Sequence, residues 1–367
     1  MAWAEQLRSG RWRGVYRDAN GDRRTCDELF PRKSEAVRAA NAKEAEERNA
    51  PTPAGSAKMT WGQWEPKWLE SRVVASSTER SDIARRRDHL RPYWSRKQLR
   101  AITPDDVQKW IAKLQKEGLK PSTVIKCYHL LSASMKAAVK ARVISVNPCS
   151  GIDLPKIGPM PEKYLEPDEL DSIKSSMDDF DVFAVDLLVG TGMRLGEALG
   201  LHWESVDIDR KEIRIEWAYD PVARVMKAPK DYQRRTIPIG PSLLKALKSR
   251  QDTDLGARPP LTYPSKTRVH SGLVLAHTDG RPVDSSNFRH RFAASVRIAW
   301  VGSPKHRRKV GHVRLHDLRH TYASRLLRAG VPLEEVSRLM GHASITTTMR
   351  YAHLAQSNWG SVRKALG

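Results

Sequence analysis

Residues 341–354 read GHASITTTMRYAHL: a Gly-His pair, a polar run, and one tyrosine, Tyr351, nine residues after His342. Core packing is the cheap explanation for a single tyrosine in such a place. The alternative is a nucleophile, and a reactive phenol makes demands that other parts of the chain must meet. Its reference pKa of about 10 calls for a partner that takes its proton. If the electrophile is a phosphodiester, the transition state also needs fixed positive charge, and a departing 5′-oxygen needs a general acid. Arginine suits the first task, since its planar fork donates two parallel hydrogen bonds and stays charged at working pH.

The chain carries such parts in order. Arg194 and Glu197 lie in TGMRLGEALGL, Lys230 lies in KAPKDYQRRTIPI with Lys227 three residues before it, and His316 and Arg319 form H-x-x-R in LHDLRHTYASRLL. Residues three apart share a helical face, so His316 and Arg319 are expected side by side. Each piece alone is weak, because RxxE and HxxR are common surface patterns. Together they form one complementary chemical set.

Composition points the same way. Among 367 residues, 64 Lys+Arg stand against 42 Asp+Glu, a net charge of +22 that calls for a polyanionic partner, with nucleic acid leading. A membrane role is not expected: the most apolar stretch, VFAVDLLVG, is short and contains Asp186, and MAWAEQLRSGRW lacks the apolar core of a secretory signal. The expected location is the cytoplasm, acting on DNA. Cys26, Cys127 and Cys149 are few, widely spaced and without a CxxC pair, so reduced structural thiols are expected. His312, His316 and His320 recur every four residues, but no acidic residue completes an HExxH pattern, and no metal is expected.

Three segments follow from the punctuation. Residues 1–57 contain RWRGVYRDANGDRRT, a hairpin signal around Asn20-Gly21, then a helical stretch with Ser34 as candidate N-cap, then the linker NAPTPAGSA. Residues 58–156 read as helical throughout, with a capping box at Thr60 and Gln63, a tryptophan face of Trp61, Trp64 and Trp68, and a helix opened by Thr103-Pro104 and closed by Gly118. The region 58–158 carries half of the net charge. Residues 157–367 are mostly helical, with KEIRIEWAYD, VARVMK and RRTIPI expected as a three-stranded meander. The fold class expected is mixed, mainly α: a mostly helical domain with a small three-stranded sheet, preceded by a helical domain and a small sheet-plus-helix N-terminal domain.

The stretches TGMRLGEALGL, HDLRHTYASRLL and LMGHASITTTMRYAHL closely resemble the signature boxes of the tyrosine recombinase family, particularly the integrases of phages and mobile genetic elements. The resemblance implies an arm-type DNA-binding domain at 1–57, a core-type DNA-binding domain at 58–156 and a catalytic domain at 157–367. It implies that Arg194 and Arg319 hold the scissile phosphate, Lys230 protonates the departing oxygen, and His316 acts as base toward Tyr351. His342 would bond the phosphate, Glu197 would orient the site, and Tyr351 would form a 3′-phosphotyrosyl link without metal or nucleotide cofactor. Lys227 remains open as an alternative to Lys230. Candidate DNA contacts are Arg11, Arg13, Arg17, Arg23 and Arg24 on the N-terminal hairpin and Arg85, Arg86, Arg87 and Lys126 in the helical segment. The implied partners are double-stranded DNA at attachment sites, three further copies of the chain in a tetramer, a host DNA-bending protein and an excision factor. The last segment, around Ser357 to Leu366, would dock on a neighbouring copy.

Overall fold

The structure is a computed structural model that describes residues 2–18, 22–48, 58–158, 163–229, 234–251, 261–264, 269 and 271–354. The chain divides into two compact units, Met1–Pro159 and Met160–Gly367.

The first unit opens with an antiparallel sheet in the order β1 (Trp3–Gln6), β2 (Trp12–Arg17), β3 (Arg23–Phe30), followed by helix α1 (Lys33–Arg48). The expected turn at Asn20-Gly21 lies outside the described residues. Gly14 of β2 lets α1 approach closely: a Cβ there would fall 2.4 Å from the Ala36 carbonyl oxygen. Helix α1 begins at Lys33, so Ser34 sits inside the first turn rather than capping it. Arg11, Arg17, Arg23 and Arg24 are exposed, and Arg13 is half-buried.

The helical remainder contains α2 (Trp61–Glu70), α3 (Ser76–Arg85), a π-type stretch (Arg86–Leu90) running into α4 (Arg91–Trp94), α5 (Pro104–Lys116) and α6 (Pro121–Lys140). The Thr60–Gln63 capping box is formed, and Trp61, Trp64 and Trp68 are buried as their spacing predicts. Ser134 of α6 fastens two of them: Trp61 Nε1 donates to its Oγ at 3.2 Å and Trp64 Nε1 to its carbonyl at 3.1 Å. One expected DNA contact is corrected by this core. Arg86 is 3% exposed and ion-paired with Glu65 at 3.1 Å and Glu79 at 2.7 Å, so its charge is spent inside the fold. Arg85 is half-buried against Asp82, whereas Arg87 and Lys126 are exposed.

The second unit contains α7 (Pro167–Lys174), α8 (Asp179–Thr191), α9 (Leu195–Leu199), five short strands, α10 (Pro241–Gln251), α11 (Ser285–Ile298), two further short strands, α12 (Leu315–Arg328) and α13 (Leu333–Met340). The strands are β4 (Val206–Asp207), β5 (Glu212–Ile215), β6 (Ala218–Asp220), β7 (Val225–Lys227), β8 (Arg235–Pro238), β9 (Trp300–Val301) and β10 (Arg308–Lys309). The expected meander is rearranged. KEIRIEWAYD breaks into β5 and β6, the three-stranded sheet runs β4-β5-β8, and β6 and β7 form a separate hairpin. The VFAVDLLVG stretch is the buried α8, and among the described residues no helix is long and apolar enough to cross a membrane. Helix α8 stops at Gly192 in the left-handed region (φ 63°), where a Cβ would fall 2.3 Å from Tyr322 Cδ1 of α12.

Candidate active site

Helix α13 ends where the site begins. Gly341 takes a left-handed conformation (φ 62°), its N–H donates to the Arg338 carbonyl at 3.0 Å, and the His342 N–H donates to the Ser337 carbonyl at 3.2 Å. That is a Schellman ending, and it turns His342 back beside the helix. The last carbonyls of a helix lack intrahelical donors and sit at the negative end of its dipole. Here three consecutive ones collect three arginines: Leu339 accepts from Arg235 Nε at 2.7 Å, Met340 from Arg319 Nη2, and Gly341 from Arg194 Nη2 at 2.9 Å. Arg319 Nη1 also donates to the carbonyl of Gly192, at the end of α8.

Glu197, 2% exposed on α9, ties the cluster together. It accepts from Arg194 Nη1 at 2.9 Å, from the Arg194 backbone N–H at 2.9 Å, and from Arg235 at 2.7 and 3.2 Å. Three guanidinium charges therefore meet one carboxylate, which leaves an excess of positive charge suited to an anion. Each guanidinium has five N–H donors, and these bonds use two on Arg194 and two on Arg319, so donors remain on both for a ligand.

The electrostatics follow from this crowding. Burial would raise the Glu197 pKa, but the hydrogen bond and charge of Arg235, then Arg194, hold it below the usual carboxylate range. Burial, then Arg194, push Arg319 down to about 9, so it stays protonated at neutral pH. Burial, then Arg319, Arg194, Arg350 and Arg235, push His342 down to about 3. Burial and then His320 push His316 down to about 4, although the rim of His316 is exposed and solvent moderates that shift.

Tyr351 lies on a 3-10 turn, Met349–Leu354, and is 1% exposed. Its ring packs with Tyr322, Val336, Leu339 and Met340 and meets Tyr164 edge-on at 6.4 Å. Its hydroxyl is hydrogen-bonded to Nδ1 of His320, and the His320 ring stands perpendicular to His316 at 4.8 Å. On the other side, His342 Nδ1 lies 2.7 Å from Thr348 Oγ1, which donates to Ser337 Oγ at 2.9 Å.

The residues singled out in the sequence thus fall into two adjoining groups. Arg194, Glu197, Arg319 and His342 surround the end of α13, while Tyr351 and His316 flank His320. Lys230 lies outside the described residues. Lys227 is on β7, paired with Asp220 at 2.8 Å. Three contributors carry no catalytic role in the sequence reading. Arg235 is one, and its signal was available: in RTIPI it alternates with Ile237 and Ile239, which places a charge on the buried face of a strand. His320 is another, four residues from His316 on the same helical face. Thr348 is the third, and nothing in TTT distinguished it from its neighbours.

A family model described as the phage integrase family matches residues 163–358. A tyrosine recombinase XerC-like protein of Caldanaerobacter subterraneus subsp. tengcongensis is 28% identical over 322 residues, covering 81% of this chain and 80% of that protein. The tyrosine recombinase XerC of Proteus mirabilis is 25% identical over 253 residues, covering 68% of this chain and 73% of the relative. Among solved structures, the Tn1549 transposon integrase in complex with a circular intermediate DNA superposes with a TM-score of 0.68 at 20% identity, over 84% of this chain and 98% of that one. A lambda integrase dimer bound to a COC′ core site gives a TM-score of 0.61 at 18% identity, over 95% and 93%. At these identities the two structures establish a shared fold.

Proposed function

The chain belongs to the phage integrase family, whose tyrosine recombinases break and rejoin DNA at defined sites, and from that membership we propose that it integrates or excises a mobile element through a covalent Tyr351 intermediate. The observation that carries the reading is the collection of Arg194 and Arg319 on the carbonyls of Gly341 and Met340, the two residues before His342. Fixed cations with unspent donors beside His342 are what a phosphodiester gaining charge in the transition state requires, which supports the reading.

In this reading Arg194 and Arg319 grip the non-bridging oxygens, and Glu197 with Arg235 keeps Arg194 in place. The Tyr351 oxygen attacks phosphorus and the 5′-oxygen departs, protonated by Lys230. The phenol proton leaves into the His316–His320 pair, of which His320 is the member in contact with the hydroxyl. A duplex cannot reach a phenol that is 1% exposed, so the turn carrying Tyr351 shifts when DNA binds. The phosphotyrosyl ester conserves the bond for a second DNA hydroxyl, and no metal or nucleotide is needed for resealing.

The N-terminal sheet and α1 serve as an arm-type DNA-binding domain, the helical 58–156 segment as a core-type one, and 157–367 as the catalytic domain. Exposed Arg11, Arg17, Arg23, Arg24, Arg87 and Lys126 are their candidate phosphate contacts. The reaction takes place in the cytoplasm, in a tetramer on two duplexes, with a DNA-bending protein and an excision factor as accessory partners. A nicked suicide duplex tests the chemistry: wild type accumulates a covalent protein–DNA adduct and Tyr351→Phe does not. No adduct from wild type sinks the proposal.

A second reading is favoured by the curated relatives, which are named XerC and XerD. In it, the same chemistry resolves DNA multimers rather than moving an element. Deleting residues 1–57 separates the two. Loss of recombination between two defined attachment sites, with cleavage of a core site retained, supports the integrase.

A further inference from the structure

Thr348 is wholly buried and fully engaged. Its N–H donates to the Ile345 carbonyl at 2.7 Å, and its carbonyl accepts the Tyr351 N–H at 2.9 Å. Its hydroxyl stands between Ser337 Oγ at 2.9 Å and His342 Nδ1 at 2.7 Å. A threonine hydroxyl has one proton to give. With that proton given to Ser337, the same oxygen accepts from His342, and the ring carries its proton on Nδ1. In a neutral imidazole the second nitrogen is then bare.

We infer that Thr348 is a positioning residue: backed by Ser337, its hydroxyl fixes His342 as the Nδ1–H tautomer and leaves Nε2 to meet the scissile phosphate, while its carbonyl ties the Tyr351 backbone to the same point. The phosphate contact rests on the recombinase reading above; the tautomer rests on Thr348 giving its proton to Ser337 rather than to His342. The nine-residue step from His342 to Tyr351 acquires a physical cause, because Thr348 holds one by its side chain and the other by its backbone.

A bare Nε2 presents a lone pair to a phosphate oxygen and cannot donate to it. Burial, and then the nearby arginines, keep the ring neutral. An arriving phosphate supplies the opposing negative charge, so Nε2 takes up one proton from water and the imidazolium then donates from both nitrogens, Nδ1–H to Thr348 and Nε2–H to the phosphate.

The test uses the full chain labelled with 15N-histidine, the His342 signals being identified by their loss in His342→Gln. Wild type is expected to show Nδ1 protonated and Nε2 bare. Thr348→Val, which keeps the side-chain shape, should release the ring to a mixture of tautomers, and Thr348→Ser should restore it. Ser337→Ala removes the acceptor of the Thr348 proton, which turns to His342 Nδ1 and moves the ring proton to Nε2. In single-turnover adduct formation, Thr348→Val should be roughly 10–100-fold slower, as when a group that orients an active-site ligand is lost, with Thr348→Ser close to wild type. Nε2 protonated in wild type overturns the inference, and so does an unmoved tautomer in Thr348→Val. A wild type that forms no adduct overturns the recombinase reading and the phosphate role with it, but leaves the tautomer readout standing.

Discussion

Arg194 donates through Nη2 to the carbonyl of Gly341 at 2.9 Å, linking the start of α9 to the end of α13 across 147 residues of chain. The contact exists because Gly341 turns left-handed and aims its carbonyl outward, with Arg235 packed against its Cα. A Cβ at Gly341 would fall 2.9 Å from Arg235 Nη1 and 3.1 Å from Arg235 Cδ. Gly341→Ala therefore combines a left-handed penalty of roughly 1–2 kcal/mol with displacement of a buried guanidinium. A lower denaturant midpoint and slower adduct formation are expected. Unchanged values for both would show that the α13 ending does not organise the arginines.

Arg235 is the member of the cluster that looks structural. Its side chain is 5% exposed and forks onto Glu197 while holding the Leu339 carbonyl. Arg235→Met leaves the buried Glu197 carboxylate with Arg194 as its remaining charged partner, and breaking a buried pair this way costs about 3–5 kcal/mol. Arg235→Lys keeps the charge but not the fork, and recovers only part of that loss. Chemical denaturation of the two variants measures the difference; if Met and Lys are equally stable, the fork carries nothing.

The same carboxylate gives an acid-stability signature. The folded-state pKa of Glu197 lies below its unfolded value, so below the unfolded pKa, about 4.3, the unfolded chain binds a proton that the folded one does not. The stability it contributes is fully present above that pKa and is lost as pH falls through the folded value. His342 adds in the same direction: its pKa of about 3 makes folding less favourable from about pH 6.5 downward. Unfolding free energy measured against pH should fall less steeply below pH 4.3 in Glu197→Gln, and less steeply between pH 6.5 and 4.3 in His342→Gln. Parallel curves for wild type and both variants would refute the assignment.

The legibility of this molecule in its sequence was uneven, for physical reasons. Capping boxes at Thr60 and helix faces such as Trp61, Trp64 and Trp68 depend on neighbours three or four residues apart, and both were readable. The meander failed because strand pairing is long-range: RTIP pairs with EIRI, and VMK turns back onto AYD, although all are short β-prone runs. Arg86 was misplaced on the surface because a run of three arginines does not reveal which one faces the acids of another helix. The site boxes could be read as a chemical set, yet the identity of the histidine on Tyr351 depends on how α12 faces the final turn, which no local pattern encodes.

The arginine cluster should bind a simple tetrahedral anion. Sulfate does not titrate between pH 5 and 8, so it reports on the site alone. At a hundred times its dissociation constant it should stabilise the fold by about 2.7 kcal/mol, read as a rise in melting temperature. Arg194→Gln and Arg319→Gln each remove donors and charge, and the rise should shrink in both. The anion also lifts the pKa of His342 from about 3, so binding takes up a proton and sulfate should bind more tightly as pH falls from 7 toward 5. The slope of log affinity against pH should be negative, should not exceed one proton in size, and should flatten in His342→Gln. A wild-type affinity that is flat across that range would show that His342 takes up no proton when the anion binds, against the protonation inferred for the phosphate complex.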